Sequence, residues 1–219
     1  MTDTAELVVS DVVKRFDPHR PVLDGVELTA RAGSLSVIVG EPESGRSTLV
    51  RCLTGVYCPQ HGSVRYRVSG SDPVDLTDSD VRTVAWLRAH HIASFDELLT
   101  APPRLPVAVV TARTAGCDRD TALAALARCG VRDLAPVPIG RLRNTERFTV
   151  ALAAALSADR PFVVLDDPER FAPAEVLRTW IRRSTDRGAA VVLAAGPDST
   201  LAAGATTVGR LREGRIEWL

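Results

Sequence analysis

Apolar and polar side chains alternate over residues 6–16 and again over 22–30, the pattern of half-buried strands, and Arg31-Ala32-Gly33 closes the second run with a turn. These two runs predict a pair of antiparallel strands at the start of the chain. Leu35 to Gly40 is different: it is almost continuously apolar, as a strand buried on both faces of a parallel sheet is. Helical spacing then runs from Ser44 to Tyr57 until Pro59 and Gly62. Alternation returns from Val64 to Val68, residues 70–80 form a Gly/Ser/Asp-rich loop, and helical spacing resumes from Val81 to about Arg88.

Residues 98–145 change character. Pro102, Pro103 and Pro106 break the chain, Asp118 or Asp120 caps a helix through Cys129, and Pro136 and Pro138 break it again. This stretch reads as a small helical subdomain inserted in an α/β body. An alanine-rich helix follows from Glu146 to Leu156, then a buried strand from Phe162 to Leu165 closed by Asp166-Asp167-Pro168. Pro173 opens a helix at its first position, Gly188 ends it, Ala190 to Ala195 is another buried strand, and Thr206–Leu211 with Arg215–Leu219 make a closing hairpin. Strands alternating with helices predict an α/β class with a mostly parallel sheet. The length of 219 residues fits one domain spanning 1–219.

Charge narrows the function. There are 27 basic and 27 acidic side chains, so the formal net charge is zero, which argues against nucleic acid as a partner. Lys14 is the sole lysine; every other basic residue is arginine. A site that needs a lysine must use Lys14 or do without. No apolar run is long enough to span a bilayer, and the start MTDTAELVVS lacks a basic region and an apolar core. The expectation is therefore a cytoplasmic protein, peripheral to the inner membrane through a partner, with Cys52, Cys58, Cys117 and Cys129 as buried reduced thiols.

The sharpest chemical signal is Gly40-Glu41-Pro42-Glu43-Ser44-Gly45-Arg46-Ser47-Thr48, between a buried strand and a helix. That is the setting of a P-loop, in which backbone N–H groups and the helix N-terminus form an anion nest. Three features depart from the usual form. Arg46 stands where a lysine reaches the β- and γ-phosphates. Glu41 and Glu43 place carboxylates in a loop meant for phosphate, and Glu43 sits where glycine eases the backbone curvature. Ser47 supplies the hydroxyl for Mg²⁺, with Thr48 beside it. Asp166, at the end of an apolar strand, is the Walker B position that supports Mg²⁺, and Asp167 follows where a carboxylate polarises the attacking water. The plainer alternatives are a tight turn without ligand at 40–48 and a capped turn at 166–168.

With both motifs placed, the chain resembles the ATP-binding cassette (ABC) ATPases. Leu23–Leu28 looks like the lead-in strand, Ser47–Gly55 the P-loop helix, Ala151–Leu156 the helix after the signature, and Leu211–Ile216 the closing hairpin. The resemblance implies a P-loop NTPase with an ABC-type mixed sheet, an N-terminal antiparallel β-subdomain and a small helical subdomain. It implies ATP and Mg²⁺ as ligands, and a dimer with another cassette or with itself. Val74–Leu76, Arg82–Ile92 and Pro103–Val110 are similar to the L-type cassette of carbon–phosphorus (C–P) lyase systems, which implies a C–P lyase core or a membrane permease as a further partner.

The same resemblance exposes what is altered. The signature, usually LSGGQ or LSGGE, aligns with Leu142-Arg143-Asn144-Thr145-Glu146 and has lost both glycines. The Q-loop position is Glu97, whose carboxylate can still reach Mg²⁺. The D-loop stretch, Glu169–Ala172, lacks its aspartate. The switch histidine aligns with Gly196, and no histidine occurs after His91. The base-stacking aromatic is Phe16, which is equally readable as a core phenylalanine. Three functions stay open: a degenerate cassette with weak or lost ATPase serving assembly or regulation, an active ATPase subunit paired with a partner cassette, and a P-loop kinase-like enzyme using Arg46. His90-His91 reads as a polar helix end, and Trp86, Trp180 and Trp218 as core or interface residues.

Overall fold

The computed structural model describes residues 5–95, 99 and 101–219. The chain divides into two compact units. The first comprises Met1–Asp96, Arg160–Asp167 and Ile181–Leu219; the second comprises Glu97–Asp159 and Pro168–Trp180.

The first unit holds two sheets. Strands β1 (Glu6–Asp17), β2 (Arg20–Arg31), β4 (His61–Arg67) and β5 (Val74–Asp75) form an antiparallel sheet in the order β2-β1-β4-β5. The other sheet runs β10-β9-β3-β8-β7-β6, built from β3 (Leu35–Val39), β6 (Ile92–Phe95), β7 (Phe162–Asp166), β8 (Ala190–Ala195), β9 (Thr207–Arg212) and β10 (Arg215–Trp218). All its pairings are parallel except β9–β10, the closing hairpin. The apolar runs behave as their composition dictates: every residue of β3 and β8 is buried, whereas β1 and β2 bury alternate positions.

One core joins these parts. Leu7, Val26 and Val64 of the antiparallel sheet share it with Ile38, Val164 and Val192 of the parallel sheet, and with Leu49 and Leu53 of α1 (Arg46–Leu53). Tyr66 is its hinge point. Its hydroxyl donates to the Leu53 carbonyl at 2.7 Å, and its ring meets Phe162 edge to face with centroids 4.7 Å apart. The end of α1 is thereby tied to β4 and β7. Helix α2 (Val81–His90) is capped by Asp80, whose carboxylate accepts from the Arg82 and Thr83 N–H groups.

α1 is shorter than its apolar spacing suggests. Gly55 turns left-handed at φ 70°, and the N–H groups of Val56 and Tyr57 both fold back to the Arg51 carbonyl at 2.9 Å. The thiols differ from expectation as well. Cys52 and Cys129 are buried and Cys117 is half-buried, but Cys58 is exposed, because it follows this turn into the loop before Pro59.

The second unit packs α3 (Val107–Ala115), α4 (Arg119–Arg128) and α5 (Asn144–Ser157) against one another. It is wider than residues 98–145. Asp118 is the cap of α4, accepting from the Thr121 N–H at 2.7 Å. Gly140 packs on Pro103: a Cβ there would lie 2.6 Å from the proline Cβ. Trp180, on α6 (Ala174–Asp186), is buried and its indole N–H donates to the Leu156 carbonyl. Trp86 and Trp218 are instead 50% and 45% exposed, so neither is a core residue. Among the described residues no helix is long and apolar enough to cross a membrane.

Candidate nucleotide site

The 40–48 loop leaves β3 and enters α1. Its start is fixed by the Gly40 N–H, which donates to the Ala195 carbonyl at the end of β8. A Cβ on Gly40 would fall 2.5 Å from the Ser44 Oγ, and one on Gly45 would fall 2.9 Å from the Val22 carbonyl. Both glycines are thus required by close approach, and Gly45 also adopts φ 100° as the cap of α1. Between them, Glu43 is held at φ 66°, a left-handed conformation that costs a non-glycine residue about 1–2 kcal/mol. The curvature of a phosphate nest is present, and a residue poorly suited to it has been bent into place. Glu41, Pro42 and Glu43 are exposed at the crest.

Two polar atoms in this loop are buried without a partner among the described residues: the Ser44 Oγ and the Arg46 Nη1. A buried unpaired donor costs about 1–3 kcal/mol, so each marks a place where a ligand oxygen is compatible. The first N–H groups of α1, on Arg46, Ser47 and Thr48, have no partner within the helix and add the positive end of its dipole.

Ser47 and Asp166 meet directly: the serine hydroxyl is hydrogen-bonded to the aspartate side chain. Burial pushes the Asp166 carboxyl above its ordinary value. The Ser47 bond and the Arg46 charge pull it back, the neighbouring Asp167 pushes it further up, and Arg51 lowers it. Asp167 itself is held at φ 46°, with its N–H donating to the Ala194 carbonyl at 2.8 Å. A hydroxyl–carboxylate pair, the serine exposed and the aspartate half-buried, beside a second carboxylate is a donor set for a hard divalent cation. Orphan donors, pre-curved loop and oxygen pair together fit a Mg²⁺–phosphate group, with Ser44 and Arg46 on the phosphate and Ser47 and Asp166 on the metal. Bound there, Mg²⁺ would neutralise phosphate charge.

Phe16 is 60% exposed at the end of β1, so it is no core phenylalanine. β1 pairs with β2 so that Lys14 faces Leu23 and Arg15 faces Pro21, and Val22 and Leu23 are the residues that touch Gly45. Phe16 follows these paired residues on β1, one position after Arg15. The sequence did not single out its neighbour Tyr57, whose ring contacts Phe16 edge to face at 5.3 Å and whose hydroxyl accepts from Arg51 at 3.1 Å. The available signal was an aromatic residue shortly after the P-loop helix. Glu97 lies outside the described residues. Gly196 follows β8, and among the described residues nothing lies within 4 Å of a Cβ built on it.

In the second unit, Asn144 and Thr145 are already helical in α5. Glu146 folds back to accept from the Arg143 N–H at 2.7 Å. The reciprocal half of that cap needs an acceptor at position 143, which an arginine does not have.

A protein-family model described as ABC transporter matches residues 23–170. The chain is 32% identical to the hemin import ATP-binding protein HmuV of Nocardia farcinica, over 91% of this chain and 70% of that one. It is 32% identical to the aliphatic sulfonates import ATP-binding protein SsuB of Cupriavidus pinatubonensis, over 74% of this chain but only 50% of the relative. Against the cytochrome c biogenesis ATP-binding export protein CcmA of the same organism it is 34% identical, and the match spans 64% of that relative. The fold matches the dimeric structure of MJ0796, a bacterial ABC transporter cassette, with a TM-score of 0.81 at 20% identity, covering 96% of both chains. A post-hydrolysis dimer of the same cassette, bound to ADP and Pi, gives 0.80. The P-loop, the Walker B strand, the antiparallel sheet and these matches agree: the chain belongs to the ABC transporter family, as an ATP-binding cassette.

Proposed function

We propose that this cassette binds Mg-ATP in its 40–48 loop and works as the weaker member of a cassette pair, attached through a membrane permease to the cytoplasmic face of the inner membrane. One observation carries the reading: the loop that supplies the Ser47–Asp166 pair also holds two buried donors, on Ser44 and Arg46, that are unpartnered among the described residues. That arrangement is costly without a ligand and satisfied with phosphate and metal. The weakness lies at the other end of the reaction. Arg143, Asn144 and Thr145 fill the place where small residues would let a partner's γ-phosphate approach the backbone, and Gly196 supplies no imidazole. A partner with an intact signature completes the site at this P-loop, while this chain returns a poor signature to its partner.

The competing reading is a cassette without turnover that serves assembly or regulation, as in a C–P lyase system. The positions that resemble that system carry the frame of the fold: Leu76 and Leu87 are buried, Pro106 opens α3, and Val107 and Val110 are core residues. The proposal is therefore made for a cassette rather than for phosphonate chemistry.

Titration of Mg-ATP into the purified chain, followed by ATPase assays of the chain alone and mixed with a candidate partner cassette, tests this. Binding, slow turnover alone and faster turnover in the mixture are expected. No binding overturns the nucleotide site, ordinary cassette rates from the lone chain overturn its weakness, and a mixture no faster than the partner alone favours the regulatory reading.

A further inference from the structure

The backbone of Lys14 belongs to β1, opposite Leu23, but its side chain serves a different purpose. It is only 9% exposed, unusual burial for a lysine. Its Nζ donates to the Cys58 carbonyl at 2.8 Å and lies 5.3 Å from the centroid of the Phe16 ring and 5.6 Å from that of Tyr57. The two rings meet edge to face at 74°. Tyr57 is also held by Arg51, which donates to its hydroxyl and lies 5.4 Å from its ring centroid. Phe16 is thus gripped by a cation and a second ring yet remains 60% exposed.

We propose that Lys14 is a positioning residue for a nucleobase: pinned to the Cys58 carbonyl, its ammonium orients Phe16 as a stacking platform for the purine whose phosphates occupy the 40–48 loop. The inference rests on the reading of that loop as a nucleotide site. A phenylalanine at a hairpin end loses side-chain freedom when it stacks on a base, and a cation already fixed at the ring removes that loss beforehand. The cation also draws on the ring's π-density, which suits the open face to an electron-rich base. A compact ammonium makes both contacts at once; a planar guanidinium is broader and directs its N–H groups in a fixed fork. That gives a reason for the one lysine in a chain that otherwise uses arginine.

The test compares Mg-ATP with Mg-tripolyphosphate, which offers the phosphates without a base. Lys14→Met should weaken ATP binding roughly five- to thirtyfold and leave tripolyphosphate binding unchanged. Phe16→Ala should show the same pattern, and Lys14→Arg should recover part of the ATP affinity. An unchanged ATP affinity in Lys14→Met, or an equal loss for both ligands, overturns the proposal. If Lys14→Met does not fold, Lys14→Arg decides it: a loss confined to ATP supports the role, and equal behaviour towards both ligands removes it. If the unaltered chain binds neither ligand, the nucleotide reading itself has failed.

Discussion

The Ser47 hydroxyl is hydrogen-bonded to the Asp166 side chain, so the first turn of α1 is tied to the end of β7 before any ligand arrives. Burial raises the Asp166 carboxyl above its ordinary value. The native chain therefore keeps this proton to a higher pH than the unfolded chain does. Stability falls as pH rises through that window and stays lower above it. Asp166→Asn preserves an acceptor for Ser47 and removes the half-buried charge. It should melt at a higher temperature than the unaltered chain at neutral pH, and lose any gain from Mg²⁺. Thermal denaturation with and without Mg²⁺ checks both, and a lower melting temperature for the variant would refute the burden assigned to this charge.

Arg46 has a buried nitrogen without a partner among the described residues, so its removal should separate stability from affinity. Arg46→Ala should leave the unliganded chain at least as stable as before, since it removes an unpaired buried donor, and weaken Mg-ATP binding by roughly ten- to a hundredfold, the loss of a charged hydrogen bond. Arg46→Lys should bring only a modest improvement, about threefold or less, because the charge is already there and only its shape changes. Chemical denaturation and titration calorimetry on the same samples give both numbers.

Glu43 is the one loop residue forced to positive φ without being glycine. Glu43→Gly relieves about 1–2 kcal/mol of backbone strain and gives back part of it to the freer unfolded chain. A net gain of about 0.5–1 kcal/mol should appear as a higher denaturation midpoint. Nucleotide affinity should rise too, since a carboxylate leaves the mouth of an anion site. A destabilised variant would show that the Glu43 side chain makes a contribution larger than the strain.

His91, whose ring lies against Trp86 at 4.7 Å, binds its proton less tightly than an ordinary histidine. Burial is the main cause, and His90 and Arg160 add repulsion. The unfolded chain takes up this proton near pH 6.5, before the native chain does, so stability is fully present above that pH and declines as pH falls below it. His91→Gln should flatten that part of the stability profile. A slope below pH 6.5 identical in the variant would assign it to other groups.

Much of this architecture was legible from the sequence because it depends on local rules. Residues 35–40 are apolar enough to be buried on both faces, Asp118 precedes a helix it can cap, and the loop between Gly40 and Thr48 can hardly be anything but a strand-to-helix turn. What escaped depends on contacts through space. The apolar spacing after Ser47 does not reveal that Gly55 stops α1 early, nor that α5 already begins at Asn144 inside the altered signature. Phe16 could be read as core until the fold left it exposed at the end of β1. Lys14 was conspicuous by number alone; its meaning came from a carbonyl contributed by Cys58 across the sheet.

Nucleotide pockets are often found in cell extracts by reagents that deliver an acyl group to an amine near the bound phosphates. This chain offers such reagents nothing at its loop: Arg46 does not acylate under those conditions, and the amine of Lys14 is packed under two rings. An ATP-binding protein built this way would pass through amine-based profiling as a blank, and only a reagent that reacts with the base side or reads binding directly would register it.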